Sequence, residues 1–313
     1  MTSQKESIMK VSVIIPTYNA HVYIKQLIDT LFKQTLEFAD ILIIDSSSQD
    51  GTAELIKVAG VNVITIPTSE FDHGGTRSMG IKNTVGDIVI FLTQDALPVD
   101  HTSIKQLIKV FDDPKIGAAY GRQIPYPNET PFGAHLRLFN YQMHGYERIY
   151  ADKHIHGIKT AFLSDSFAAY RREALEKIGL FENSLICSED LYAGAKILKE
   201  GYSLAYVAEA MVYHSHGYSV KDEFKRYFDI GVFHSQEKWL ISEFGTPESD
   251  GVKYVISELK HLVNHKYFFL IPLSIVRNIA KYCGYTLGKL HTKLPEKLNK
   301  ALSMNSNWWN KSL

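Results

Sequence analysis

Runs of apolar residues alternate with stretches of helical apolar spacing in the N-terminal third of the chain. The uninterrupted runs cover residues 11–16, 41–45, 61–66 and 88–92. Between them, apolar residues recur every three or four positions, which predicts helices at residues 21–34, 52–59 and 75–82. Because an uninterrupted apolar run is typical of a strand covered on both faces, the alternation predicts βαβ units and an α/β fold with a mostly parallel central sheet flanked by helices.

Beyond Gly121 the pattern is less regular, and three prolines interrupt it before residue 132. Further strands and helices are predicted at residues 166–171, 172–177, 189–199, 204–207 and 211–213. The chain after Ser219 predicts helices and loops.

The composition indicates how large a core the chain can build. The charge is uneven along the chain. With 313 residues and 45% hydrophobic content, the chain can build a sizeable core. Lys and Arg balance Asp and Glu at 34 each, so the overall charge predicts no nucleic-acid partner. From His261 onward, however, eight Lys or Arg accompany a single acid, Glu296. Two cysteines, a polar N-terminus and the lack of a long apolar run predict a cytoplasmic protein.

Polar side chains follow the first two predicted strands. Residues 16–19 read PTYN, and Asp45 precedes three serines. Because ligands bind beyond the carboxyl ends of parallel strands, these residues are candidates for holding a ligand. Asp45 could accept a hydrogen bond from a nucleobase N–H or a ribose hydroxyl. The alternative is an ordinary loop in which Asp50 or a serine caps the next helix.

The strand at residues 88–92 ends in the sequence FLTQDALP, which carries a lone carboxylate, Asp95. A carboxylate at the open end of a strand could ligate a hard divalent cation. The alternative is a turn aspartate before Pro98.

The sequence FDHGGTR places Gly74 and Gly75 before Arg77 at a predicted helix start. Glycines let the backbone approach a ligand, a helix N-terminus favours anions, and an arginine can bind a phosphate with two hydrogen bonds. A surface turn with a solvated arginine is the alternative.

Two further groups carry candidate chemistry. Glu189 and Asp190 begin a predicted helix, where acids are also ordinary partners of the helix dipole. His214 and His216 follow a predicted strand, and alternate residues of an extended segment face the same side, so both imidazoles could reach one site.

These segments follow one another along a chain with a predicted α/β fold. In this order, they make the chain resemble family 2 glycosyltransferases with the GT-A fold. Residues 13–19, 44–52 and 86–95 resemble the family's opening strand and loop, its second nucleotide-binding segment and its metal-binding segment. Residues 188–190 match the acidic pair that supplies the base. The resemblance covers about residues 10–220.

The resemblance implies an inverting, metal-dependent transfer of a sugar from a nucleotide sugar to a saccharide acceptor. Asp190 would be the catalytic base, with Glu189 beside it. Mg²⁺ or Mn²⁺ would be held by Asp95 with His214 or His216. The residues that would hold the nucleotide sugar are Pro16, Thr17, Tyr18, Asn19, Asp45, Gly75, Arg77 and Gln94.

Two positions depart from the family's pattern. Ser46 stands where a second aspartate is usual after the second strand, and Gln94 stands where the metal site usually has a second acid. The sequences FDHGGTR and LTQDALP also resemble bacterial rhamnosyltransferases that use dTDP-L-rhamnose to build surface polysaccharide. A UDP sugar as donor, a non-catalytic nucleotide-sugar-binding protein and a nucleotidyltransferase are the alternatives.

We expect a catalytic domain at residues 1–240, with a nucleotide-binding part at 10–120 and an acceptor part at 121–240. Residues 241–313 would form a helical, basic extension. Apolar and basic residues occur together there, which suits contact with an anionic membrane at the inner face of the cytoplasmic membrane, where the acceptor could be lipid-linked. The alternative is a set of helices packed on the catalytic domain.

Overall fold

The apolar runs of the N-terminal third form strands in which alternate residues serve two cores. The computed structural model describes residues 9–245 and 248–310. Val13 and Ile15 pack in one core and Ile14 in the other, and all three are fully buried. Ile88–Leu92 are likewise fully buried and divide between the same two cores. The sheet is therefore covered on both faces, as continuous apolar runs predict.

The four strands and three helices predicted for this region are confirmed. They are β1 (Val11–Thr17), α1 (His21–Phe32), β2 (Asp40–Asp45), α2 (Thr52–Ala59), β3 (Asn62–Thr65), α3 (His73–Lys82) and β4 (Ile88–Leu92). α3 begins two residues earlier than predicted because Asp72 caps it, with Asp72 Oδ1 accepting a hydrogen bond from Gly75 N–H at 2.7 Å.

The middle of the chain contains five strands and the helices between them. These are β5 (Leu97–Pro98), α4 (Ser103–Ile108), β6 (Ile116–Ile124), α5 (Pro131–Asn140), β7 (Tyr146–Arg148), α6 (Lys153–His156), β8 (Phe167–Arg171), α7 (Arg172–Lys177), α8 (Glu189–Lys199) and β9 (Ser203–Tyr213). The prediction of two short strands at 204–207 and 211–213 is wrong in one respect, because β9 continues through both.

The nine strands of the described residues belong to one sheet in the order β3-β2-β1-β4-β8-β6-β9-β5, and β7 also pairs with β9. The strands β1 to β4 pair in parallel, as does β6 with β9, whereas β8 runs antiparallel between β4 and β6. The carboxyl ends of β1, β2 and β4 therefore lie at one edge, where the loops after these strands meet.

The C-terminal helices are α9 (Val220–Gln236), α10 (Lys238–Phe244), α11 (Glu248–Asn264), α12 (Ile271–Lys289) and α13 (Glu296–Leu302). Glycines allow α12 to pack closely on α9, since a Cβ atom added at Gly288 would lie 2.0 Å from the carbonyl oxygen of Phe228. The division into domains at residue 240 stays a prediction.

Two basic residues of the C-terminal segment are buried. Arg277 and Lys281 point from α12 toward α9, where their nitrogens lie 2.8 and 3.3 Å from Glu223 Oε1. The interface between α9 and α12 thus contains a charge-paired group as well as glycine contacts. Within the described part of the chain, no helix combines the length and apolar character that crossing a membrane requires.

Candidate active site

Asp95, His214 and His216 come together at the open edge of the sheet, and we call them the Asp95 cluster. Asp95 precedes β5, and β5 pairs with the end of β9, so Leu97 lies opposite Tyr213 and the next residue is His214. His214 Nε2 lies 3.5 Å from Asp95 Oδ1, and His216 Nε2 lies 3.6 Å from Asp95 Oδ2. One ligand atom from each residue lies within 4.8 Å of the others, a spacing that could hold a metal ion.

A hydrogen-bonded chain orients His214 within the Asp95 cluster. His214 Nδ1 lies 2.8 Å from Gln123 Oε1, and Gln123 Nε2 donates to Ser164 Oγ at 2.8 Å. Because an amide oxygen only accepts, His214 Nδ1 carries the proton and Nε2 keeps its lone pair toward Asp95. Burial, with the nearby Arg137, holds the pKa of His214 well below its ordinary value. This neutral tautomer is the one that binds metals.

Gln94, which stands in place of the usual second acid, connects two loops. Its side-chain oxygen accepts a hydrogen bond from Tyr18 N–H at 2.8 Å, and its side-chain nitrogen donates to the carbonyl oxygen of Tyr18 at 3.1 Å. A carboxylate could not make the second bond. The tyrosine hydroxyl of Tyr126 donates to the carbonyl oxygen of Asp95 at 3.0 Å, which fixes the backbone on the other side.

The loops after β1 and β2 are cross-linked, with Asp45 at their base. Asp45 is 1% exposed and accepts hydrogen bonds from the backbone N–H and hydroxyl of Ser48, at 3.0 and 2.5 Å. The backbone N–H of Asn19 in turn donates to Ser48 Oγ at 2.8 Å. Asp50 accepts from the backbone N–H groups of His21 and Thr52, so it joins the starts of α1 and α2 as the capping alternative predicts. Asp45 therefore shapes the loops at this edge of the sheet.

Arg77 has contacts that the sequence did not indicate. The sequence predicted that Arg77 would bind a phosphate, but it is only 6% exposed. Its Nε lies 2.6 Å from Asp165 Oδ2, and its Nη1 lies 2.9 Å from Glu189 Oε1. The guanidinium thus forms ion pairs with two buried carboxylates. We call Arg77, Asp165, Glu189 and Asp190 the Arg77 cluster.

The two glycines before Arg77 lie close to residues 181–183. A Cβ atom added at Gly74 would lie 1.9 Å from the carbonyl oxygen of Glu182, and one at Gly75 would lie 3.2 Å from Asn183 Oδ1. The N–H of Gly75 already donates to Asp72, as described above. These glycines therefore let α3 lie against residues 181–183.

The two predicted catalytic acids have different environments. Arg77 and His73 hold the pKa of Glu189 below its ordinary value in spite of burial. Burial and the charges of Glu189 and Asp165 raise the pKa of Asp190 to about 8. Its Oδ1 accepts from the backbone N–H of Leu191 at 2.8 Å, and its Oδ2 accepts from that of Asp165 at 3.3 Å. Asp190 is therefore suited to take up a proton, whereas Glu189 stays ionised beside Arg77.

Asp165 was not predicted as a site residue. It is buried, accepts a hydrogen bond from the Tyr170 hydroxyl at 2.5 Å, and has a pKa raised to about 6, mainly by burial. Its position also links the two clusters, because Ser164 supports Gln123 and His214 while the N–H of Asp165 donates to Asp190. Two adjacent residues therefore set the Asp95 cluster and the Arg77 cluster side by side.

Comparisons with known proteins agree with this geometry. The family model described as "Glycosyl transferase family 2" matches residues 12–179, just over half of the chain. The chain is 40% identical over 304 residues to the O-antigen chain rhamnosyltransferase RfbN of Salmonella typhimurium, covering 96% of both proteins. It is 38% identical over 301 residues to the O-antigen chain rhamnosyltransferase WbaN of Salmonella anatum, covering 96% of this chain and 95% of that protein.

Solved structures share the fold. The mannosyltransferase PcManGT from Pyrobaculum calidifontis, in complex with GDP-Man and Mn²⁺, matches 98% of this chain and 89% of its own at 18% identity and a TM-score of 0.59. TarS residues 1–349 of S. aureus, in complex with UDP-GlcNAc, matches 97% and 91% at 16% identity and a TM-score of 0.58. The predicted GT-A fold is confirmed.

Proposed function

Because the chain belongs to glycosyl transferase family 2, we propose that it transfers L-rhamnose from dTDP-L-rhamnose to a growing O-antigen saccharide. The choice of sugar and product follows the two relatives, which match the chain over nearly its full length. The observation that carries the reaction type is the position of Asp190, with its pKa of about 8, beside the Asp95 cluster at the open edge of the sheet.

Asp190 is the catalytic base in this proposal. The acceptor hydroxyl oxygen attacks the anomeric carbon from the face opposite the diphosphate, and its proton passes to the Asp190 carboxylate. The bond between the anomeric carbon and the diphosphate oxygen breaks, and the diphosphate leaves with the electron pair. The configuration at the anomeric carbon is thereby inverted. Glu189 does not touch the reacting atoms and acts as a positioning residue through Arg77.

The Asp95 cluster fits a divalent cation. The cluster offers one carboxylate oxygen and two imidazole nitrogens, and Gln123 orients one of the imidazoles. This mixed donor set suits Mn²⁺ better than Mg²⁺, which prefers oxygen ligands. When bound, the cation would stabilise negative charge on the departing diphosphate.

The nucleoside would lie on the loops after β1 and β2. Tyr18 is 48% exposed there, although Gln94 holds its backbone, so its ring is free to contact a base. Pro16, Thr17, Asn19 and Asp45 would form the remainder of this surface.

We test the function by measuring the released nucleotide. Purified protein is incubated with dTDP-L-rhamnose, a saccharide acceptor and Mn²⁺, and free dTDP is quantified. Acceptor-dependent release of dTDP supports the proposal, and stronger turnover of UDP sugars would replace the donor. Pyrophosphate release from a nucleoside triphosphate would instead favour a nucleotidyltransferase, and binding without turnover would favour a non-catalytic binder.

A membrane contact through α11 and α12 forms a second part of the proposed function, and would place the enzyme at the inner face of the cytoplasmic membrane with a lipid-linked acceptor. The side of α12 opposite α9 exposes Ile279 and Tyr282, and the preceding turn exposes Phe268 and Phe269. Between residues 251 and 295 the only acidic residue is Glu258, which is buried. An apolar surface without exposed acids is complementary to an anionic bilayer.

Vesicle flotation tests this contact. We expect the protein to float with phosphatidylglycerol vesicles and much less with phosphatidylcholine vesicles, and the Phe268→Ser, Phe269→Ser double variant to lose binding. Val58→Ser, which removes an even more exposed apolar side chain on α2, is the control. Equal flotation of the double variant and the wild type, or a stable dimer formed through this face, would contradict the proposal.

A further inference from the structure

Two arginines that the sequence did not indicate lie next to the Asp95 cluster. Arg137 is on α5 and Arg226 is on α9. Arg226 Nη1 donates to the Tyr218 hydroxyl at 3.0 Å, and the Tyr218 ring lies 5.2 Å from the ring of His216. The charges of Arg226 and Asp95 both act on Arg137. Both guanidinium groups are therefore close neighbours of the proposed cation site.

Neither arginine is neutralised by a carboxylate contact. Arg77 and Arg277 each lie within 3 Å of an acidic oxygen, whereas no such ion pair joins Arg137 or Arg226 to any acid in the described ranges. Arg137 Nε is buried without a hydrogen-bond partner. The Arg226 side chain is exposed, and the Tyr218 hydroxyl holds its Nη1. Within the described residues, these two guanidinium groups therefore have no acidic partner.

The charge of Arg137 in particular is costly without a ligand. Burial, which has the largest effect, and the repulsion from Arg226 lower the pKa of Arg137, although Tyr141, Tyr218 and Asp95 act in the opposite direction. An unpaired, partly buried charge destabilises a protein unless an anion neutralises it. A nucleoside diphosphate suits this need because its phosphates carry about three negative charges near neutral pH, and a guanidinium binds phosphate with two parallel hydrogen bonds.

We propose that Arg137 and Arg226 bind the diphosphate of the nucleotide sugar and stabilise the negative charge that it gains on leaving. This inference rests on the proposed function, since it requires a nucleoside diphosphate donor. The two arginines would thus perform the role that the sequence assigned to Arg77. Tyr218 positions Arg226 through its hydroxyl.

Isothermal titration of dTDP and of dTMP, with Mn²⁺ present, tests the inference without measuring catalysis. We expect Arg137→Gln and Arg226→Gln each to weaken dTDP binding about 10- to 100-fold, the range of one lost charge-assisted contact. The loss for dTMP should be smaller, because dTMP has one phosphate. Arg226→Lys should recover part of the affinity, since it keeps the charge but loses the two-bond geometry. Lys221→Gln, an exposed cation on the same helix, should leave binding unchanged.

The outcomes separate this inference from the proposed function. If the wild type binds dTDP and both glutamine variants bind it within about twofold of wild type, the arginine assignment is wrong while the function stands. If the wild type binds none of dTDP, UDP and GDP, the proposed function fails and the inference fails with it. Circular dichroism melting checks the fold of each variant. Should Arg137→Gln not fold, Arg226→Gln decides, because its exposed side chain is not needed for packing.

Discussion

The Asp95 cluster and the Arg77 cluster both contain carboxylates, but their surroundings differ. Asp95 lies at the open edge of the sheet between two imidazoles, and no arginine of the described ranges forms an ion pair with it. Asp165, Glu189 and Asp190 lie deeper and share a single buried cation, Arg77. Three acids and one cation cannot all be charged without cost in a buried site, so one acid retains its proton to a higher pH. The structure thereby separates the proposed cation site from the proposed proton acceptor.

The first prediction concerns Asp190, the proposed proton acceptor. Asp190→Asn keeps the shape of the side chain but cannot take up a proton, so we expect sugar transfer to fall about 10²- to 10⁴-fold. Initial rates and dTDP affinity would be measured together, and the affinity should stay unchanged. Glu200→Gln, at the exposed end of the same helix, is the control. A variant with wild-type turnover would rule out Asp190 as the base.

The second prediction concerns Arg77, the cation of the Arg77 cluster. Arg77→Met leaves Asp165 and Glu189 buried without a partner, which should lower the free energy of unfolding by about 3–5 kcal/mol. Urea unfolding measures this, and adding Glu189→Gln should restore part of the loss. Lys57→Met on the exposed side of α2 should change stability by less than about 0.5 kcal/mol. A similarly small effect for Arg77→Met would mean that the guanidinium does not stabilise the buried acids.

The third prediction concerns Gln123, the residue that orients His214. Gln123→Met removes the acceptor for His214 Nδ1, so we expect the dissociation constant for Mn²⁺ to rise about 10- to 100-fold. Titration of Mn²⁺ followed by electron paramagnetic resonance measures it, with Gln106→Met on the exposed side of α4 as the control. Unchanged Mn²⁺ binding would show that the hydrogen bond does not support a metal ligand.

The smallest effect is expected at the position where the family pattern has an acid. Gln94→Glu loses the donor to the Tyr18 carbonyl, at a cost of about 1 kcal/mol in stability. Thermal unfolding in the absence of metal measures it. An increase in melting temperature would contradict the assigned role of the amide.

Much of the fold was predictable because local patterns specify it. The runs that became β1 to β4 are continuous and rich in Val and Ile. β6 gave no comparable signal, since Gly117, Ala118, Ala119 and Gly121 favour strands weakly. β9 was predicted as two strands because Glu209 interrupts its apolar residues, although the strand runs through it with an exposed side chain.

The part of the site that lies at strand ends was predictable. The part that depends on contacts between residues far apart in sequence was not. The convergence of Asp95, His214 and His216 follows from residues at the ends of strands. The role of Arg77 could not be predicted, because Asp165 and Glu189 reach it from segments about 90 to 110 residues away in sequence. Arg137 and Arg226 gave no signal either, since a lone arginine on a helix is ordinarily solvated.

The pH dependence of sugar transfer tests the central claim most directly. A base must be unprotonated to act, and the pKa of Asp190 is raised to about 8. The single-turnover rate at saturating donor and acceptor should therefore rise about tenfold per pH unit between pH 6 and 7 and level off above about pH 9. A rate already constant from pH 6 upward, as an unperturbed aspartate would give, would contradict the assignment of Asp190 as a base whose pKa is set by the Arg77 cluster.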